Sequence, residues 1–168
     1  MVLVSLLTST AMAGPARSTQ TGAVQVDLRL NKAIYGLGEP VEITLTLVNR
    51  ASEGITFQFN TGQMYDFIVL SEDRFVCQWS HGRAFTQALT TLALKPNESK
   101  VFREQWDQRD AKGQQVPVGE YEMIAVFPAR GGPSVRPGPD GPRVRFSVSS
   151  GSGPLKPQLP SVSSRSTT

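Results

Sequence analysis

The sequence predicts an all-β protein whose single domain is an immunoglobulin-like antiparallel β-sandwich. Apolar and polar residues alternate with a period of two over much of residues 23–149. Glycine, proline, asparagine and aspartate interrupt this alternation every ~8–12 residues, which is the spacing of turns between short strands. No stretch carries an apolar stripe at helical spacing bounded by capping residues. Roughly eight or nine short strands with these properties are typical of a sandwich.

The composition is that of an ordinary folded protein. The chain has 168 residues, of which 39% are hydrophobic and 18% charged, enough for one domain to bury a core without disulfides or metals. The net charge is +3, and the basic residues are scattered, so nucleic-acid binding is not favoured. Neither paired histidines nor Cys-x-x-Cys occurs, so we expect no metal and no cofactor. We expect a monomer with a protein partner and no membrane span.

The N-terminal residues 1–13 have features of a signal peptide. Residues 2–7 form an apolar run that is too short to span a bilayer, and Ala11-Met12-Ala13 fits a cleavage site with small residues. No lysine or arginine precedes Arg17, so the basic start of such a peptide is missing. We expect export to the periplasm or the medium, and the alternative is a disordered extension of a cytoplasmic protein. Residues 14–22 are small and polar and predict a flexible lead-in.

The first half of the domain predicts three strands by alternation. Residues 24–30 and 41–49 place apolar side chains on one face, and the glycines and proline of residues 35–40 predict a turn between them. A turn at residues 49–54 precedes the third strand, in which Ile55, Phe57 and Phe59 alternate with polar residues.

Residues 63–89 form the most aromatic part of the chain. Strands are predicted at residues 67–70 and 75–79, joined by the polar turn Ser71-Glu72-Asp73-Arg74. The sequence Ser80-His81-Gly82 predicts a second turn, and a third candidate strand begins at Phe85. We interpret this stretch as the core hairpin of the domain.

The second half of the domain predicts three more strands, separated by loops. Residues 92–94 lead into a turn at residues 95–98. The later strands are predicted at residues 101–106, 121–127 and 143–148. Polar residues 107–119 and the glycine- and proline-rich residues 129–142 predict exposed loops, and residues 150–168 predict a disordered tail.

The titratable residues do not favour catalysis. Cys77 and His81 are the only cysteine and the only histidine, and the predicted turn between them breaks the geometry that a nucleophile and its base need. A cysteine inside a strand is most simply a small buried hydrophobe. The spacing Asp107-x-x-Asp110-x-x-Gly113 lacks the ligand density of a calcium loop. We therefore predict that the protein is not an enzyme.

Recognition by surface loops is the function that remains. Sandwich domains bind through loops clustered at one end, and here the candidate loops are residues 60–63, 79–86 and 106–118. Burial in the core is the alternative interpretation for the three large aromatic side chains among the candidates. The candidate contact residues are Gln63, Trp79, Phe85, Trp106, Asp107 and Arg109.

Several motifs between about residues 41 and 127 resemble the BsuPI-type intracellular proteinase inhibitor domain. The most specific is a tyrosine-aspartate-phenylalanine run followed by tryptophan-serine-x-glycine. The matching motifs are Gly62-Gln63-x-Tyr65-Asp66-Phe67-x-Val69, Trp79-Ser80-x-Gly82-x-x-Phe85-x-Gln87-Ala88-Leu89, Trp106-Asp107 and Gly113-x-x-Val116-Pro117-x-Gly119-x-Tyr121.

The resemblance implies an all-β, immunoglobulin-like protein that inhibits subtilisin-type serine proteases without being an enzyme. The loops of residues 107–119 and 129–142 are the candidates for contact with the protease. An exported envelope binding module without inhibitory activity is the alternative, because a signal peptide would separate the chain from an intracellular target. The matching residues are interpreted as fold determinants, with Asp66 expected to accept hydrogen bonds from the backbone or a tryptophan. The fold-specifying residues are Tyr65, Asp66, Phe67, Ser80, Gly82 and Gln87.

Overall fold

The computed structural model of the chain describes residues 14–129 and 141–151, and these residues contain eleven β-strands and no helix. The strands are β1 (Ala16–Thr21), β2 (Val24–Leu30), β3 (Ile34–Gly36), β4 (Val41–Asn49), β5 (Ile55–Phe59), β6 (Asp66–Ser71), β7 (Arg74–Gln78), β8 (Thr90–Leu94), β9 (Ser99–Trp106), β10 (Gly119–Val126) and β11 (Arg143–Ser149). The predicted signal peptide, residues 130–140 of a predicted loop and residues 152–168 of the predicted tail lie outside the described residues.

The strands form two main sheets and a ribbon, which confirms the predicted all-β sandwich. One sheet has the order β1-β2-β4-β9, the other has the order β3-β11-β10-β6-β7, and β5 pairs with β8. The pairings are antiparallel except for β3, which runs parallel to β11. The described residues include no helix long and apolar enough to cross a membrane.

The predicted alternation places the core between the sheets. In β2 the four apolar side chains Val24, Val26, Leu28 and Leu30 are fully buried, and the residues between them face outward. Strands β4, β10 and β11 bury their apolar faces in the same way. Each fully buried aliphatic or aromatic side chain contributes about 1.5–3 kcal/mol relative to an exposed one, so this shared face is the main source of stability.

The lead-in predicted to be flexible instead forms β1. Its residues pair with β2 from Ala16 opposite Arg29 to Thr21 opposite Val24. An edge strand can be held by main-chain hydrogen bonds alone, because it pairs with the N–H and C=O groups that its neighbour would otherwise leave without a partner. Since Ala16, Arg17 and Ser18 are exposed, no apolar alternation marks this strand in the sequence.

Three further differences concern short strands. β3 lies at the start of a segment predicted as a turn, and β8 is longer than the apolar triplet that precedes the turn at residues 95–98. The candidate strand beginning at Phe85 is wrong, because residues 83–88 pair with no strand. The chain there passes from β7, at the edge of the five-stranded sheet, to the separate ribbon of β5 and β8.

Candidate functional site

A groove of about 470 Å³ opens on one side of the sandwich, beside the edge strands β7 and β9. Trp79 and Arg83, which follow β7, line one part of it, and residues at and after the end of β9 line another. Among the candidate contact residues, Trp79, Trp106, Asp107 and Arg109 all border this groove. The structure therefore brings together residues that are far apart in the sequence.

Asp66, at the start of β6, organises the turn that carries Trp79. Only 3% of Asp66 is exposed, and its carboxylate accepts hydrogen bonds from five donors. Two are main-chain N–H groups, from Phe67 at 2.9 Å and Ser80 at 3.0 Å. The other three are the Ser80 hydroxyl at 2.6 Å and the amides of Gln63 and Gln78. The hydrogen bonds from Gln78 and Ser80 fasten the turn after β7 to the start of β6.

Trp79 is half-buried and joins the core to the groove. Its ring lies 5.3 Å from that of Tyr65, 6.0 Å from Phe67 and 6.2 Å from Phe85, measured between centroids. The Arg83 guanidinium lies 4.0 Å above the Trp79 ring, and Arg83 Nε donates to the Trp79 carbonyl at 3.0 Å. Aromatic and cation–π contacts each contribute about 0.5–1.5 kcal/mol, so this cluster fixes the turn after β7.

Tyr65 links this cluster to β9. Its hydroxyl donates a hydrogen bond to the Glu104 carboxylate, and its ring lies 4.5 Å from Phe102. Burial, together with the neighbouring Glu104 carboxylate, raises the pKa of Tyr65. The indole Nε1 of Trp79 is buried and has no partner among the residues that the structure describes.

Trp106 belongs to the core rather than to the contact surface. It is 5% exposed, and its ring lies near Tyr121 and Phe146 at centroid distances of 6.0 and 6.1 Å. Its indole N–H donates to the Arg109 carbonyl at 3.0 Å, which satisfies the buried donor. Trp106 therefore packs mainly in the core, although it also lines part of the groove.

The structure also gives two glutamines contacts that differ from the ones predicted for them. Gln63 is half-buried and donates to the Asp66 carboxylate at 2.9 Å, so it supports the fold rather than a free surface. Gln87 is exposed and donates only to the nearby Phe85 carbonyl, so the structure gives it no fold-specifying contact. Gly82 has a φ of +74° in the turn, a backbone conformation that residues other than glycine rarely adopt.

The loop between β9 and β10 has a network of internal hydrogen bonds. The Asp110 carboxylate accepts main-chain N–H bonds from Lys112 and Gln114, both at 2.8 Å, and Arg109 donates to the Gly113 carbonyl at 2.8 Å. The Ala111 N–H donates to the Val76 carbonyl at 3.1 Å, which fastens the loop to β7. Asp107 and Arg109 remain exposed and form an ion pair at 3.6 Å.

Gln108 anchors this loop to the body and was not predicted from the sequence. Its side chain is fully buried, donating to the carbonyls of Gly36 at 2.9 Å and Glu39 at 2.6 Å. It accepts from the Gly38 N–H at 2.8 Å. Its partners lie about seventy residues away in the chain, so no local pattern identifies it.

Cys77 and His81 do not form a catalytic pair. Cys77 is buried in β7, whereas His81 is exposed in the following turn. Burial raises the pKa of the Cys77 thiol to about 12, so it stays protonated and unreactive near neutral pH. The described part of the chain brings together no group of three or more histidine, cysteine, aspartate or glutamate residues suited to a metal ion.

We expect Cys77 in the folded protein to react with a thiol reagent at pH 8 about a thousand-fold more slowly than in the unfolded chain. The thiolate is the reactive form, and burial disfavours it only in the folded state. For the same reason, the stability that Cys77 contributes is present below about pH 9 and lost as the pH rises toward about 12. Absorbance after addition of a disulfide reagent, with and without denaturant, measures the rate. Equal rates in the two states would contradict the buried thiol.

The surface beside Trp79 continues into two other loop segments. The Gly62 N–H donates to the Thr86 carbonyl at 2.8 Å, so residues 60–63 are fastened to the segment after the Trp79 turn. A Cβ atom on Gly62 would lie 2.4 Å from the Thr86 Oγ1, so a larger residue there would require the Thr86 side chain to move. All three loops proposed for recognition therefore lie close to Trp79 or to the segment that follows it.

Several solved structures are similar to this chain at low sequence identity. The sporulation control protein Spo0M from Bacillus subtilis is 17% identical, with a TM-score of 0.48, over 76% of this chain and 49% of that chain. The CARDB domain of PF1109 from Pyrococcus furiosus is 15% identical, with a TM-score of 0.45, over 83% of this chain and 100% of that chain. The chain spans 30% of the Pseudomonas fluorescens alkylpurine DNA glycosylase AlkC, at 15% identity over 75% of this chain and a TM-score of 0.44.

A family match covers the part of the chain that contains the Asp66 network, the Trp79 cluster and the loop after β9. No curated protein matches the chain. The BsuPI family, described as intracellular proteinase inhibitor, matches residues 28–132, which is more than half of the chain. This protein is therefore a member of the BsuPI intracellular proteinase inhibitor family.

Proposed function

We propose that this protein inhibits a subtilisin-type serine protease by binding it through the surface loops near Trp79, without catalysing a reaction itself. The observation that carries the proposal is the family match over residues 28–132. The matched range includes strands β3 to β10, most of the core and all three loops around Trp79.

The rigidity of these loops supports the proposal. Asp66 holds the turn after β7, Gln108 holds the loop after β9, and the Gly62–Thr86 hydrogen bond connects the remaining segments. Loops already held in one conformation lose less entropy when they bind, and this favours tight binding by a small interface. Protease–inhibitor interfaces typically bury about 1,600 Å² in total, which a group of neighbouring loops on a domain of this size can supply.

The test is inhibition of a subtilisin-type protease by the purified protein. We expect hydrolysis of a chromogenic peptide to fall in a saturable way as the protein is added, with the inhibitor remaining intact on a gel. A metalloprotease assayed in parallel should be unaffected, which separates inhibition from competition by a digestible substrate. Full protease activity at about 10 µM protein, a concentration at which even a modest interface would be occupied, contradicts the proposal.

A further inference from the structure

The segment between β7 and β8 combines an exposed surface with fixed ends. Residues 83–89, called here the connecting segment, belong to no strand or helix. At its start, Arg83 donates to the Trp79 carbonyl at 3.0 Å and covers the Trp79 ring. In its middle, Thr86 accepts the Gly62 N–H at 2.8 Å, and directly after it β8 begins with Thr90 opposite Phe59. The segment is therefore accessible but restrained at both ends.

Leu89 is the side chain that the connecting segment leaves free. It is 83% exposed, more than any other exposed large hydrophobic side chain among the described residues. Phe85 packs against Trp79 and Arg83 is held over the same ring, so neither is free in this way. Single exposed hydrophobic side chains are common and need no function on their own. The position of Leu89 matters because of the backbone beside it.

The main chain next to Leu89 is open to a partner. Within the described part of the structure, the N–H groups of Gln87 and Ala88 donate no hydrogen bond. Extended peptides bind their partners by pairing free main-chain groups with a strand edge, while pockets select individual side chains. Serine proteases bind in this way, and a pocket beside the reacting bond sets the side chain that they prefer. The Ala88 carbonyl accepts from the Thr90 hydroxyl at 3.2 Å, so the groups left for a partner are the two N–H groups. These N–H groups, followed by an exposed leucine, suit such a cleft.

The loop after β9 lacks these properties. Its main-chain N–H groups at Asp110, Ala111, Lys112, Gly113 and Gln114 all donate within the protein. These five residues offer no large apolar side chain to a pocket, and Val118, later in the same loop, is 51% exposed against 83% for Leu89. The loop of residues 107–119, one of the two predicted to contact the protease, is therefore less suited to fill a cleft than the connecting segment.

We infer that Leu89 is the residue that this inhibitor places in the apolar specificity pocket of its protease, with the main chain of Gln87 and Ala88 paired to the edge of the cleft. This inference rests on the proposed function and names the part of the surface that carries it. Because the Leu89 side chain is large and aliphatic, the preferred target is a protease whose specificity pocket accepts leucine before the scissile bond of its substrates.

The test compares inhibition by the full chain and by single variants, using a subtilisin-type protease and a chromogenic peptide. We expect Leu89→Asp to weaken inhibition by about 100-fold or more, as for a central interface residue, and Leu89→Met to keep it within about threefold. Ile34→Asp is the matched control, because Ile34 is 61% exposed on β3, at the opposite edge of the five-stranded sheet from β7, and it should change inhibition by less than about threefold. Circular dichroism should show equal thermal stability for all variants.

Two outcomes would overturn the inference in different ways. If Leu89→Asp inhibits as well as the unmodified protein, the assignment of Leu89 is wrong while the proposed inhibitor function stands. If the unmodified protein does not inhibit the protease, the proposed function and the assignment fail together.

Discussion

Replacing Asp66 with alanine is expected to lower the free energy of unfolding by about 3 kcal/mol or more, because the substitution leaves one buried and several partly buried donors without an acceptor. The main-chain N–H groups of Phe67 and Ser80 both lose their partner, and so do the hydroxyl of Ser80 and the amides of Gln63 and Gln78. Water cannot replace the carboxylate easily where the residue is only 3% exposed.

Urea unfolding followed by tryptophan fluorescence measures this effect as a shift of the midpoint. Asp107→Ala is the control, since Asp107 is exposed and its loss should cost less than about 0.5 kcal/mol. Asp66→Asn should have an intermediate effect, because the glutamine amides can turn to present an oxygen to the new NH₂ group while the main-chain donors still find an acceptor. An alanine variant as stable as the control would show that the five hydrogen bonds do not hold the turn.

Replacing Gln108 with alanine is expected to have the second large effect, lowering the free energy of unfolding by about 2–3 kcal/mol. The side-chain amide satisfies the Gly38 N–H and the carbonyls of Gly36 and Glu39 in a fully buried position. Alanine leaves the Gly38 N–H and the Glu39 carbonyl unpaired beside a small cavity, whereas the Gly36 carbonyl keeps its hydrogen bond from the Glu39 N–H. The loop after β9 should also open locally, since Gln108 is the contact that joins it to the residues preceding β4.

The matched control is Gln114→Ala in the same loop. The side chain of Gln114 is exposed, and the hydrogen bonds of this residue to Asp110 use its main chain, so the variant should be within about 0.5 kcal/mol of the unmodified protein. Amide hydrogen exchange distinguishes the two variants, because only Gln108→Ala should accelerate exchange at the amides of Gly38 and Val116. Unchanged protection at both amides would contradict the anchoring role.

Much of the fold follows from local pattern. The alternating residues of β2, β4, β10 and β11 have one apolar face, and only burial of that face against a second layer removes it from water. Where a strand is exposed or short, this signal is absent. β1 is held by its hydrogen bonds to β2, and the three residues of β3 are held by a parallel pairing with β11 from the other end of the chain.

The candidate surface was predictable only in part. The sequence indicated that Trp79, Asp107 and Arg109 lie in loops, and the structure places them around one groove. Trp106 could not be separated from them by residue type, because the same indole suits a core or an interface. Its burial between Tyr121 and Phe146 depends on how the two sheets pack.

From its sequence alone, this chain could be recognised as a β-sandwich with the motifs of a proteinase inhibitor family, because alternation and turn residues act over a few neighbouring positions. The roles of single polar residues depended on contacts between distant segments. Asp66 was expected to accept hydrogen bonds, but only the packed structure brings Gln78 and Ser80 to it as donors. The partners of Gln108 lie about seventy residues away in the chain. Leu89 differs from the buried leucines only in what surrounds it. Exposure and unpaired main-chain groups are properties of the packed structure, and these properties distinguish the connecting segment, which we propose as the surface for a protease.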